Sequence, residues 1–177
     1  MKLIFNIPNK IWWIGDFLPK DIYKGIHNAI VKDRKKINLK SSEGTWDSNL
    51  AKNMAYPDRV EVSGYPPFEI LKNKVKNNKF FQDQNIEKIT STIHFMKKKS
   101  GINWHSDDTW KYGATYYINR RWNIHNGGEF MFSGNEAHGF LPIIGNSLVI
   151  IKAPFQHKVN PVLSSVIPRI SVQMFMK

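Results

Sequence analysis

The sequence predicts a mainly β fold with flanking N-terminal α-helices, a sandwich or small barrel with the helices on its outside. Three observations predict it. From about residue 87 the apolar residues fall into short runs of strand length. Glycines separate those runs, at Gly101, Gly113, Gly127-Gly128, Gly134, Gly139 and Gly145. Helical periodicity is confined to the part before residue 87, so the helices precede the sheet and cover it.

Ile11 to Ile14 reads as a short strand, and Asp16-Phe17-Leu18-Pro19 as a turn into a helix. Ile22, Ile26 and Ile30 repeat at four-residue spacing beside Tyr23 and Val31, which predicts an amphipathic helix over about 20–35. A second helix should start after Pro66-Pro67, with Phe68, Leu71 and Val75 on one face. Between them, 41–64 is rich in Ser, Asn, Gly and Asp and reads as loop with a short strand. The later strands are expected at 88–97, 113–119, 128–133, 146–153, 156–160 and 169–176. There is no repeat and no linker, so 1–177 reads as one domain, with helical support and loop in 1–86 and a β core in 87–177.

Composition narrows the function. The chain has 177 residues, of which 41% are hydrophobic, with 11 Phe, 6 Tyr and 6 Trp, enough aromatic bulk for a packed interior. No cysteine is present, which excludes disulfides, zinc–thiolate sites and thiol nucleophiles. No apolar run reaches a membrane span, and the first residues lack a cleavage site, so no membrane partner is expected and cytoplasm is the default location. The net charge of +12 favours acidic partners and admits nucleic acid. Much of it lies in Lys/Asn runs such as Lys72 to Lys79, which read equally well as solvated faces.

The chemistry-bearing set is His105-Ser106-Asp107, then His157, then Arg169. His105 and Asp107 are two apart, so on an extended segment they point the same way. His157 follows 50 residues after Asp107 near the start of another strand, and is expected to close a metal site from across the barrel. Two His and one Asp can hold a divalent iron and leave positions open for a 2-oxo acid and O2. Arg169 can anchor a dicarboxylic co-substrate by a bidentate contact. Singly, each residue has an ordinary alternative: His105 a turn histidine, His157 a core histidine, Asp108 an exposed turn carboxylate. Zinc could use the same ligands for hydrolysis, which would leave Arg169 without a role. His27, His94, His125 and His138 read as structural or surface residues, with the His138 loop placed near the barrel mouth.

These residues, at these spacings, resemble the Fe(II)/2-oxoglutarate-dependent dioxygenases, particularly the prolyl-4-hydroxylase-like branch. Tyr116-Tyr117-Ile118-Asn119, then Trp122 and Gly127-Gly128-Glu129, is similar to the family's tyrosine strand, asparagine turn and double glycine. Leu141-Pro142 through Gly145 resembles the segment before the distal histidine. The resemblance covers about 88–177 closely. It implies a distorted double-stranded β-helix, or jelly roll. It implies Fe(II) on His105, Asp107 and His157, and 2-oxoglutarate on Arg169, helped by Ser171 and Tyr117, with Tyr116 on the opposite face. It also implies O2 as co-substrate and ascorbate as accessory reductant. The chain departs from the pattern at Phe95, where some prolyl hydroxylases carry a tyrosine.

The implied reaction hydroxylates a prolyl residue of a peptide or protein and releases succinate and CO2. Trp104, Asp108, Arg120 and Arg121 are candidates for the mouth, and Trp46, Tyr56 and Arg59 in loop 41–64 for contacts over a peptide. The alternatives are the same chemistry on a nucleic acid or small molecule, and a non-catalytic jelly-roll binding domain. The nucleic-acid demethylases of the superfamily carry a second Arg six residues after the first, where this chain has Phe175. Oligomeric state is not legible.

Overall fold

The computed structural model describes residues 1–33, 38–62, 66–79, 86–135 and 137–177. Residues 34 and 35 of the predicted first helix, and 63 and 64 of the predicted loop, lie outside them.

Two helices and two antiparallel sheets form three layers. The larger sheet has eight strands. Four come from the first half of the chain: β1 (Lys2–Ile7), β2 (Ile11–Gly15), β3 (Lys40–Ser41) and β4 (Asp58–Glu61). Four come from the second: β5 (Ile89–Met96), β7 (Tyr112–Tyr117), β10 (Leu148–Lys152) and β12 (Arg169–Met176). The spatial order is β1-β2-β10-β7-β12-β5-β4-β3. The smaller sheet is β6-β11-β8-β9, from β6 (Ile102–His105), β8 (Phe130–Ser133), β9 (His138–Leu141) and β11 (Gln156–Val159). Two facing antiparallel sheets, the larger one open and uncurled, make the distorted double-stranded β-helix expected from the sequence.

Helices α1 (Lys20–Asp33) and α2 (Pro66–Lys76) pack on the outer face of the larger sheet. Ile26 and Ile30 of α1 and Phe68, Leu71 and Val75 of α2 are buried there against Tyr116, Leu148, Ile150, Val172 and Met174. Burial of such side chains contributes about 1.5–3 kcal/mol each and holds the layer in place. Val31, grouped with the apolar stripe by spacing, is exposed. The opposite face of the sheet meets the smaller sheet through Ile11, Trp13, Tyr117, Val149 and Ile151, against Phe130, Phe132 and Leu141. Tyr116 and Tyr117 thus enter different layers, as strand alternation requires.

The predicted strands of the second half all form, with ends shifted by up to two residues. The sequence reading missed β1, β6 and β9 and left a single unspecified strand where β3 and β4 form. All five contain polar residues that interrupt alternation, so pairing with neighbours defines them. Asn146 joins the turn before β10 to the start of α1. It adopts φ 61°, its side chain accepts from Leu18 N and donates to Leu18 O, and Tyr116 Oη donates to it at 2.9 Å.

Candidate metal centre

His105 is the last residue of β6, and His157 is the second of β11. These strands are neighbours, and the two histidines are direct partners in the register. His157 therefore closes the site from the adjacent strand, not from across the barrel as spacing suggested. The ring centroids are 4.1 Å apart. Asp107 follows β6 in a turn closed by Trp110 N donating to Asp107 O at 2.9 Å. Its carboxylate reaches both rings: Oδ1 is 3.7 Å from His105 Nε2 and Oδ2 is 3.4 Å from His157 Nε2. One ligand atom from each residue lies within 4.8 Å of the others, a two-His-one-carboxylate triad.

Backbone carbonyls set both imidazoles. His105 Nδ1 is 2.8 Å from Asn103 O, and His157 Nδ1 is 2.9 Å from Phe155 O. A carbonyl can only accept, so each Nδ1 carries the hydrogen and each Nε2 keeps its lone pair for a metal. Phe130 stacks on His157 at 5.4 Å and fixes the ring plane. Burial, with His157 beside it, pushes the His105 pKa below its ordinary value and favours the neutral ligand form. Asp107 Oδ2 is buried without a hydrogen-bond partner among the described residues, a lone pair a cation would use. Space for this carboxylate comes from Gly113 on β7, where a Cβ would stand 3.0 Å from Asp107 Oδ2.

The triad opens on a cavity of about 140 Å³. Register explains its other wall. Arg59 on β4 pairs with His94 on β5, His94 with Ser171 on β12, and Ser171 with Tyr117 on β7. The next row runs Glu61, Thr92, Gln173, Thr115. Thr115 Oγ1 donates to Gln173 Oε1 at 2.7 Å. These two rows make the inner face polar from β4 to β7, with Phe175 the apolar residue beyond them on β12, and the face is apolar at β10 and β2. Trp46 and Leu50 from the 41–57 loop roof the cavity, with Trp46 edge-on to His94 at 5.3 Å. The Asn103 side chain ties the roof to β6 by donating to Asn49 O at 2.8 Å.

Arg169 starts β12 behind this lining and is 1% exposed. Its Nη1 donates to Ser171 Oγ at 3.0 Å and touches Met96 Sδ. Its Nε and Nη2, and the Tyr117 hydroxyl, are buried with no hydrogen-bond partner among the described residues. The guanidinium sits 5.1 Å from the Tyr117 ring centroid. Burial raises the Tyr117 pKa, against the opposing pull of Arg169, so its hydroxyl stays protonated and able to donate. A buried cation with two idle donors beside an idle hydroxyl is costly unless an anion completes it. Gly128, at φ 78°, makes room for this arrangement, since a Cβ there would stand 3.0 Å from Arg169 Cδ.

The remaining sequence candidates scatter. Trp46 and Arg59 line the cavity. Trp104 alternates away from His105 and is exposed, with Lys158 Nζ 5.3 Å from its ring centroid. Asp108 is exposed in the turn after the triad carboxylate. Arg120 and Arg121 line a different groove, with His27, Ile167 and Pro168. His138 lies exposed on β9, the edge strand farthest from β6, and is not at the cavity mouth. His94, read from the sequence as a structural or surface residue, is buried on the cavity wall. The parity of β12 carried a signal for Gln173, which is four residues after Arg169 and shares its face. No comparable signal places His94, because only pairing with β4 and β12 brings it inside.

No protein-family model and no curated protein matches this sequence. Solved structures do match. A prolyl hydroxylase from Trichoplax adhaerens, in complex with a hypoxia inducible factor oxygen degradation domain peptide fragment, superposes with TM-score 0.78 at 15% identity, covering 96% of this chain and 84% of that one. A prolyl-4-hydroxylase from Pseudomonas putida gives TM-score 0.73 at 14% identity, with 96% and 93% covered. The non-heme alpha ketoglutarate dependent epimerase SnoN from nogalamycin biosynthesis gives 0.72 at 10% identity, with 96% and 78% covered. The chain shares the double-stranded β-helix fold of these solved oxygenases and carries a two-His-one-carboxylate triad within it. Several of its structural neighbours are prolyl hydroxylases.

Proposed function

We propose that this chain is an Fe(II)- and 2-oxoglutarate-dependent oxygenase that hydroxylates a prolyl residue in a peptide or protein. The observation that carries the chemistry is the triad on the smaller sheet together with a buried, incompletely bonded Arg169–Tyr117 pair on the larger sheet opposite. His105, Asp107 and His157 would hold the iron. Arg169, Tyr117 and Ser171 would hold the distal carboxylate of 2-oxoglutarate, with Arg169 Nε and Nη2 and the Tyr117 hydroxyl as donors. When bound, Fe(II) with 2-oxoglutarate and O2 supplies oxidation coupled to decarboxylation, releasing succinate and CO2.

The chain's own part is orientation and exclusion of water. The backbone carbonyls of Asn103 and Phe155 keep both Nε2 atoms deprotonated and aimed at one point. The Trp46–Leu50 roof and the Phe130 ring shield that point. Trp46 and Arg59 are the substrate contacts this geometry favours. Trp104, Asp108, Arg120 and Arg121 would act only with a peptide that extends well beyond the cavity.

The prolyl substrate is supported by the fold neighbours, one of them with a peptide bound. The likeness to an epimerase of equal standing supports small-molecule oxidation as the second reading. The test is anaerobic titration of the chain with Fe(II) and 2-oxoglutarate, then aerobic incubation with proline-containing peptides. Saturable binding of both, succinate release, and a peptide mass gain of one oxygen are expected. Absence of 2-oxoglutarate binding to the Fe(II)-loaded chain overturns the chemistry. Succinate release that no peptide stimulates overturns the peptide substrate. Ascorbate should prolong turnover without being required for the first cycle.

A further inference from the structure

Arg59 is a cation on the inner wall with no counter-ion among the described residues. It is half-buried on β4, faces the same cavity as the triad, and has no carboxylate within ion-pair distance among the described residues. Its neighbour Asp58 is taken by Lys97. Its cross-strand partner His94 offers no negative charge. Burial, Arg169 and Arg59 together lower the His94 pKa to about 3, so it is neutral at ordinary pH. Glu61, two residues along β4 on the same face, pairs with Thr92, is exposed and makes no ion pair with Arg59.

Formal charge sharpens the point, and this step rests on the oxygenase reading above. Fe(II), Asp107, Arg169 and dianionic 2-oxoglutarate cancel. Arg59 is what remains, in a partly desolvated position where an unpaired charge is unfavourable. Arg59 also borders a second groove, shared with Asn38, Lys40, Val60 and Glu61, so it stands where the cavity meets a path to the surface.

We propose that Arg59 anchors a carboxylate of the substrate, and that the protein selects peptides with an acidic group close to the residue oxidised. The peptide lies in the groove beside Lys40, its carboxylate paired to Arg59, and its target residue under Trp46 facing the triad. Gln173 adds an amide donor on the same wall, its carbonyl already engaged by Thr115. Arg59 is then a specificity residue, since it touches neither metal nor co-substrate.

The test measures binding of equal-length peptides to the chain loaded anaerobically with Fe(II) and 2-oxoglutarate, followed by tryptophan fluorescence. The panel carries Asp or Glu beside the target residue, or Asn or Gln there, each with a free or an amidated C-terminus. Acidic peptides should bind about tenfold tighter than their amide counterparts, the size of one charge-assisted contact. A preference that follows the side chain assigns the carboxylate to it, and one that follows the terminus assigns it there. Arg59→Gln should bring the preference within about twofold while Fe(II) and 2-oxoglutarate affinities hold. Arg59→Lys should keep part of it, which guards against a folding defect in the glutamine variant. Equal binding of acidic and amide peptides, a preference that survives Arg59→Gln, or no peptide binding to the loaded chain overturns the proposal alone. Failure of the wild type to bind Fe(II) and 2-oxoglutarate overturns it together with the oxygenase reading.

Discussion

His105 and His157 are cross-strand partners on β6 and β11, with ring centroids 4.1 Å apart. A metal site is thus built into a strand pairing, and each ring is aimed by the backbone carbonyl two residues before it in the sequence. His157→Ala removes one ligand without touching the pairing hydrogen bonds. It should lower Fe(II) affinity by more than about 100-fold, beyond the usual cost of losing an outer-shell partner. Isothermal titration of the metal checks this, and circular dichroism should show the fold retained.

Gly113 tests how closely the larger sheet supports the triad. A Cβ at Gly113 would meet Asp107 Oδ2 at 3.0 Å and Ile151 Cγ1 at 3.3 Å. Gly113→Ala should therefore displace the carboxylate and weaken Fe(II) binding by about tenfold. The loss of stability should be small, below about 1.5 kcal/mol by urea unfolding, since the alanine suits a strand better than glycine.

Arg169 should trade stability for function. Its Nε and Nη2 are buried without partners among the described residues. Arg169→Met should abolish saturable 2-oxoglutarate binding yet leave the empty protein as stable, or more stable by about 1 kcal/mol or more. In the wild type, saturating 2-oxoglutarate with metal should raise the Tm, and in the variant it should not. A variant that unfolds far more readily than wild type contradicts this account.

His94 carries an acid limb of stability. The unfolded chain takes up this proton near the ordinary pKa of 6.5, whereas the folded chain resists it down to about 3. The unfolded state therefore binds more protons through that window. The stability due to a neutral His94 is complete above about pH 6.5 and is lost progressively as pH falls towards 3. His105, also lowered, adds to the same limb in the metal-free protein. In metal-free protein His94→Gln should flatten the fall of Tm between pH 6.5 and 4, with His105 leaving a residual slope.

Much of this protein is legible along its chain because the relevant physics is local. The four-residue repeat of Ile22, Ile26 and Ile30 specifies a helical face, and Pro66-Pro67 starts a second helix, since both act within a turn. The spacing of His105 and Asp107 puts two ligands on one side of an extended segment. The glycine-separated apolar runs set the mainly β class. Short strands such as β6 and β9 were not legible, because their residues form strands only through partners elsewhere in the chain.

By itself the sequence determined the ligand types, the helices and most strands of the β core. Only the tertiary structure decided that β6 and β11 are neighbours, which turns two histidines 52 residues apart into one site. It also decided the row Arg59, His94, Ser171, Tyr117, assembled from four strands. Register is a property of pairs of strands, and a shift of one residue would turn each of these side chains to the other face. The metal triad was therefore readable from residue identity and spacing, and the cavity wall opposite it was not.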